Sequence, residues 1–224
     1  METIVTPGNV HDSVAFDDLY DKIVEHYPEI ETIVADSGYK TPWICKKVID
    51  DKRAISLPYK RPMNKKDLFK PYEYVYDSYY DCVICPQNQV LKYSTTDRDG
   101  YKEFKSNPYI CQNCPKVNEY TNSKNKQKVV VKHIWMDYLE LAEDYRHTDK
   151  YKKLYELRTE TIERVFADAK EKYGMRYTLY RGLHQVANWV RLKFAAMNLK
   201  KFAIHRFKDL GLSSYLYTFI VFCP

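Results

Sequence analysis

Glycine and proline are scarce, six and ten among 224 residues, which excludes collagen-like and low-complexity architectures. No apolar run approaches the roughly 20 residues that a membrane-spanning helix needs. The most apolar stretch, YLYTFIVFC from Tyr215 to Cys223, stops well short of that length. The opening METIVTPGNV lacks a basic segment leading into an apolar one, so no secretory leader is expected and the protein reads as cytoplasmic, with no membrane partner. A strong charge imbalance is missing too: 36 Lys and Arg against 30 Asp and Glu leave a formal charge of +6. Tyrosine, by contrast, is abundant, with 22 residues lying among the basic ones. That suits a surface that neutralises phosphates and stacks on bases, and it equally suits a solvated basic surface over a tyrosine-rich core. With 45% hydrophobic residues, the chain can bury the core of one large domain, or of a domain with a substantial insertion.

Residues 2–6 are extended in character, and GNVHDS reads as a loop turning into a helix capped by Asp12 or Ser13. Phe16, Leu19, Tyr20, Ile23, Val24 and Tyr27 then recur at helical spacing opposite an acidic face of Asp17, Asp18 and Asp21. ETIVAD reads as a strand. Thr41 caps the next helix with Pro42 at its first position, and Ile44, Cys45, Val48 and Ile49 form its buried side. RAISLPY is a further strand, so the order implies an α/β layer with parallel pairing through helical crossovers. After Tyr59 the composition turns basic and then tyrosine-rich without helical period, which predicts an insertion from about Arg61 to Trp135. Helical character returns at MDYLELAEDY. Thr148 then caps a longer helix with Leu154, Ile162, Val165, Phe166, Ala169 and Tyr173 on one side. A last helix, about Leu183 to Phe207, buries Val186, Trp189, Val190, Phe194 and Met197.

Four of the six cysteines form two pairs, Cys82-Val-Ile-Cys85-Pro and Cys111-Gln-Asn-Cys114-Pro, with 25 residues between them. In a cytosolic chain this spacing reads as metal before disulfide, two thiolates from each pair completing one closed, structural zinc site. The intervening QVLKYSTTDRDGYKEFKS reads as two strands joined at Asp97-Arg98-Asp99-Gly100, a zinc-ribbon layout. The gap exceeds the usual roughly 15 to 20 residues, so reduced, metal-free cysteines stand as the other reading. Cys45, on a helix stripe, reads as a small buried apolar residue.

Asp36 ends the ETIVAD strand. The crevice beyond the carboxyl ends of strands is where open α/β sheets build sites, yet an Asp followed by Ser-Gly is also an ordinary cap or turn residue. The residues alone leave both readings open. In ETIERVFADAKEKYGMRYT, Glu163 and Lys170 lie seven apart and share a helix face, and a solvated face is the plain alternative. By periodicity alone Glu156 and Glu160 rival Glu163.

VTPGNVHDS, VADSGYKTPWICKK, the paired CxxCP knuckles and RTETIERVFADAKEKYGMRYTLYRGL follow one another in this order. Together they resemble the catalytic domain of bacterial insertion-sequence DDE transposases, from residue 2 to about residue 203. The resemblance implies a ribonuclease H-like mixed sheet flanked by helices, with two Asp and one Glu holding two divalent ions, Mg²⁺ or Mn²⁺. Asp36 matches the second Asp, and Glu163, in IERVF, the Glu. Tyr155, Arg158 and Lys170 match the tyrosine, arginine and lysine that accompany that glutamate. Two hard cations about 4 Å apart stabilise the attacking and leaving oxygens of an in-line displacement together, which is why the ligands are carboxylates.

The implied activity is metal-dependent DNA cleavage and strand transfer at element ends. Its partners are double-stranded DNA, at insertion-sequence ends and target, and a second copy of the chain. Tyr155, Arg158, Arg164, Lys170, Lys172, Arg176, Tyr177 and Arg181 are the candidate DNA contacts, and His11 and His184 are placed near the site or in structural roles. By this reading residues 1–60 form a partial ribonuclease H-like core, 61–135 an inserted Cys-rich subdomain with Cys82, Cys85, Cys111 and Cys114 on zinc, 136–208 the C-terminal helices of the core carrying Glu163, and 209–224 an unplaced tail.

The chain departs from the family pattern in three places. Four residues, one more than commonest, separate Arg158 from Glu163. Tyr120 stands where members often carry a further cysteine. No strand with the first Asp precedes TPGNVHDS, so an N-terminally truncated, inactive catalytic domain is expected, with an exposed sheet edge and marginal stability. The alternative is a non-catalytic nucleic-acid-binding remnant with a structural zinc ribbon.

Overall fold

The computed structural model describes residues 2–61 and 68–209. The tail from residue 210, including Cys223, lies outside the described residues. The chain divides into two compact units, Met1–Ile30 with Asp149–Pro224, and Glu31–Thr148.

The second unit begins with strand β1 (Thr32–Val34), helix α2 (Pro42–Asp50) and strand β2 (Ala54–Ser56). The strands pair in parallel, Ile33 opposite Ile55. The helix starts where its sequence says it should. The Thr41 hydroxyl accepts from the Ile44 amide at 3.3 Å, and Pro42 occupies a position whose N–H would lack an intrahelical partner anyway. Ile44, Cys45 and Val48 are fully buried, and burial pushes the Cys45 thiol up to about 11. Helix α5 (Met136–Arg146) packs on α2 and β2. Trp43 and Trp135 meet at 5.7 Å, and the Tyr138 hydroxyl donates to Asp50 at 2.9 Å.

Residues 75–133 carry a five-stranded antiparallel sheet in chain order: β3 (Val75–Asp77), β4 (Cys82–Ile84), β5 (Val90–Thr96), β6 (Tyr101–Lys105) and β7 (Val129–His133). The β5–β6 hairpin turns at Asp97–Gly100 as the sequence predicts. The Asp97 carboxylate accepts from the amides of Asp99 and Tyr101, and Gly100 supplies the positive φ of 84°. Alternation puts Val83, Leu91 and Phe104 on one face as a buried cluster, with Tyr74, Tyr76, Cys85 and Val130 packed against it. Short helices α3 (Pro108–Gln112) and α4 (Val117–Tyr120) lie between β6 and β7.

In the first unit, helix α1 (Phe16–His26) buries Phe16 and Tyr20. Its entry differs from the expected Asp12 or Ser13 cap. The His11 ring accepts from the Ser13 amide and caps a 3₁₀ turn, Asp12–Ala15, which runs into α1. Residues 2–6 join no strand. The long helix is two helices, α6 (Asp149–Arg158) and α7 (Arg164–Lys172), joined by a π turn, Thr159–Glu163. The Thr148 hydroxyl donates back to the Tyr145 carbonyl. A π turn holds one residue more than an α turn, so side-chain phase slips by about 100° across it. The stripe counted from Leu154 to Tyr173 breaks accordingly: Val165 and Ala169 are buried, while Ile162 and Phe166 are exposed. Helix α8 (Leu183–Asp209) completes that core with Phe194 and Met197.

The architecture is therefore mixed α/β, helices with a curled antiparallel sheet. Among the described residues, the parallel pairing is confined to β1 and β2. No helix among them is long and apolar enough to cross a membrane.

Candidate metal and nucleic-acid sites

Asp36 follows β1 and caps the 3₁₀ turn Ser37–Tyr39. Its backbone is extended, and its Oδ1 accepts from the Gly38 amide at 2.8 Å. Gly38 allows this close approach, because a Cβ there would stand 3.1 Å from Asp36 Oδ1. One turn on, the Lys40 ammonium pairs with Glu143, which also receives the Arg146 Nε at 2.8 Å. Burial, and then the Arg146 charge, hold the Lys40 pKa below its ordinary value. The Arg146 guanidinium lies 5.1 Å over the Tyr59 ring. Asp36 thus lies just past a strand end, four residues before the lysine of a charge network.

Glu163 closes the π turn in the other unit and is exposed. Arg158 Nη1 donates to its Oε1 at 2.5 Å. Those two residues are five apart, farther than the three or four that bring side chains together on an α-helix. The wider π turn brings the guanidinium to the carboxylate. The residue that loosens the Arg–Glu spacing in the sequence is the residue that the π turn absorbs. Lys170 is exposed on α7, two turns beyond Glu163. Glu160, Arg164, Asp168 and Lys201 border an open groove alongside.

Among the other candidate contacts, Arg164, Tyr177 and Arg181 are exposed and Tyr155 is half-buried. Lys172 pairs with Asp168 at 2.8 Å, and Arg176 pairs with Glu171. His11 serves the helix entry and His184 is exposed. Part of the mingling of tyrosine and lysine is internal to the sheet. Lys132 sits 3.8 Å over Tyr76, Lys128 5.4 Å over Tyr74, and Lys102 6.0 Å over Tyr93.

The five described cysteines are free thiols. Cys82 alternates with Val83 on β4, so it projects from the face opposite the Val83 cluster, whereas Cys85 packs against that cluster. The two members of the first CxxC pair therefore diverge. Cys85, Cys111 and Cys114 instead border one small cavity with Tyr74, Tyr120 and Lys128. Sequence reasoning missed Tyr74 and Lys128. Among the described residues, no three His, Cys, Asp or Glu side chains are gathered closely enough to hold an ion.

The family profile described as "Transposase DDE domain" matches residues 84–203. The match covers Glu163, its Arg158 partner and the second cysteine pair, and it begins after Asp36. No curated protein and no solved structure matches the chain. Because the matched span takes in more than half of the 224 residues, the chain belongs to the transposase DDE domain family.

Proposed function

We propose that this chain acts on double-stranded DNA as an insertion-sequence transposase of bacterial type, through metal-dependent phosphodiester cleavage and strand transfer at element ends. Asp36 and Glu163 are two of its metal-holding carboxylates. The observation that carries this reading is the family match across the helix that presents Glu163, with Arg158 bonded to that carboxylate. Divalent ions of the Mg²⁺ class, when bound, stabilise the attacking and leaving oxygens. Both proposed ligands are oxygen donors, as such ions require.

The chain's own residues supply the rest. The Gly38 amide orients the Asp36 carboxylate, and Arg158 holds Glu163 until an ion takes its place. Arg164, Lys170, Tyr177 and Arg181 lie exposed along and beyond α7, where they grip phosphate and stack on bases. The core–insertion–core division, with residues 61–135 inserted between 1–60 and 136–208, belongs to the same reading, as does the ribonuclease H-like form of the core.

The test uses duplex DNA. Affinity should fall linearly in log–log terms with salt, and Arg164→Ala or Lys170→Ala should each shallow that slope by about 1. Any Mn²⁺-dependent nicking by the wild type should vanish in Asp36→Asn and in Glu163→Gln. Nicking untouched by both changes overturns the carboxylate assignment. Binding without nicking favours the alternative, a non-catalytic nucleic-acid-binding protein.

A further inference from the structure

The cavity in the inserted sheet has four features that the CxxC spacing did not foretell. First, its sulfur donors come from three places. Cys85 opens the turn after β4, Cys111 lies on α3 and Cys114 just beyond it. Second, Tyr120 is buried and lines the same cavity as Cys111 and Cys114. Third, the Tyr74 hydroxyl at the cavity is buried without a hydrogen-bond partner. A buried phenol oxygen is costly to leave unsatisfied, so an unmet polar atom sits beside three thiols. Fourth, the half-buried Lys128 ammonium borders the same space and can offset thiolate charge.

The volume is ≈ 20 Å³, enough for one small ion or water and too little for an organic ligand. The Cys85 sulfur already accepts from the Gln89 amide at 3.4 Å. The backbone around it is a tight turn. The Asn88 amide donates to the Cys85 carbonyl at 2.8 Å, and Asn88 has φ of 56°.

We propose that Cys85, Cys111 and Cys114 are the protein ligands of one thiophilic divalent cation of the zinc class, that Tyr120 completes the site, and that Cys82 lies outside it. The sulfurs border the cavity without meeting at ligand distance, so the ion draws them in by side-chain rotation while three thiol protons leave to solvent. Tyr120 is not among the ligands. Its hydroxyl, a hydrogen-bond donor bordering the cavity, tunes the ligand set from outside it, leaving the fourth position to water. The ion would fasten the β4 turn to α3, in a subdomain whose own buried cluster is small.

The experiment is zinc content and Co²⁺ titration of the whole chain, followed by sulfur-to-metal charge-transfer absorption. One ion per chain is expected in the wild type and in Cys82→Ser. Cys111→Ser should lose it. Tyr120→Phe should bind about 10- to 100-fold more weakly, and Tyr120→Cys, which places a fourth sulfur in the cavity, more tightly. Absence of stoichiometric zinc from the wild type overturns the proposal, as does loss from Cys82→Ser as complete as from Cys111→Ser. If Cys111→Ser fails to fold, wild-type alkylation decides. With mild chelator, before the circular dichroism changes, Cys85, Cys111 and Cys114 should become more reactive while Cys82 and Cys45 do not. Equal exposure of Cys82 counts against the assignment.

Discussion

Asp36 has a capping role and a proposed metal-holding role, and one pair of substitutions divides them. As a cap, its Oδ1 receives the Gly38 amide at 2.8 Å. Replacing a capping Asp with Ala costs about 1 kcal/mol, whereas Asn caps about as well as Asp. Asp36 is half-buried and caps a single 3₁₀ turn, so the lower part of the usual range applies, roughly 0.5–1 kcal/mol. For a chain of this length that is a fall of roughly 1–4 °C in Tm. Asp36→Asn should melt within a degree or so of the wild type, because its side-chain carbonyl still accepts from Gly38. As a metal ligand, by contrast, both variants lose the carboxylate and both should lose divalent-ion binding. Urea titration and thermal melts followed by circular dichroism supply the stability arm, and Mn²⁺ binding the other. An Asn variant as destabilised as the Ala variant, or an Ala variant as stable as the wild type, would refute the capping argument.

Two further outcomes follow from burial. Phe104 is fully buried against Val83 and Leu91, so Phe104→Ala should cost about 3–5 kcal/mol of the sheet's stability in urea; a loss under 1 kcal/mol would mean the cluster is not a core. Burial raises the Cys45 thiol from its ordinary 9.0 to about 11, so between those values the unfolded chain has released a proton that the folded chain keeps. That contribution is complete below pH 9 and is lost as pH rises toward 11, with a slope approaching 1.4 kcal/mol per pH unit. Cys45→Ala should flatten the decline, and an unchanged slope contradicts the assignment to Cys45.

The local signals that were legible in the sequence are those that act over a few residues. Thr41 and Pro42 fix the start of α2, Asp97 and Gly100 fix the β5–β6 turn, and the spacing of Ile44, Cys45 and Val48 marks a buried face. Longer-range outcomes were not legible. β7 reads as VVVKH after a lysine-rich loop, and its place beside β6 depends on pairing with a strand more than twenty residues earlier. The π turn was hidden because a constant 3.6-residue count assumes no inserted residue, although the loose Arg158–Glu163 spacing was its trace. The divergence of Cys82 from Cys85 escaped for a similar reason. CxxC spacing brings two thiols together in a turn, but here Cys82 still belongs to the strand, where a residue's parity sets its face. The His11 cap was missed because imidazole is an uncommon capping acceptor.

The central proposal is that Asp36 and Glu163 are each metal-holding carboxylates. Iron-directed backbone cleavage tests it directly, since Fe²⁺ can replace Mg²⁺ at oxygen sites and, with ascorbate and peroxide, cuts the chain beside itself. Mg²⁺-competable cuts are predicted next to each residue, those beside Asp36 lost in Asp36→Asn and those beside Glu163 lost in Glu163→Gln. Cuts near only one of them, or cuts beside a residue that persist when that residue is replaced, would contradict the assignment.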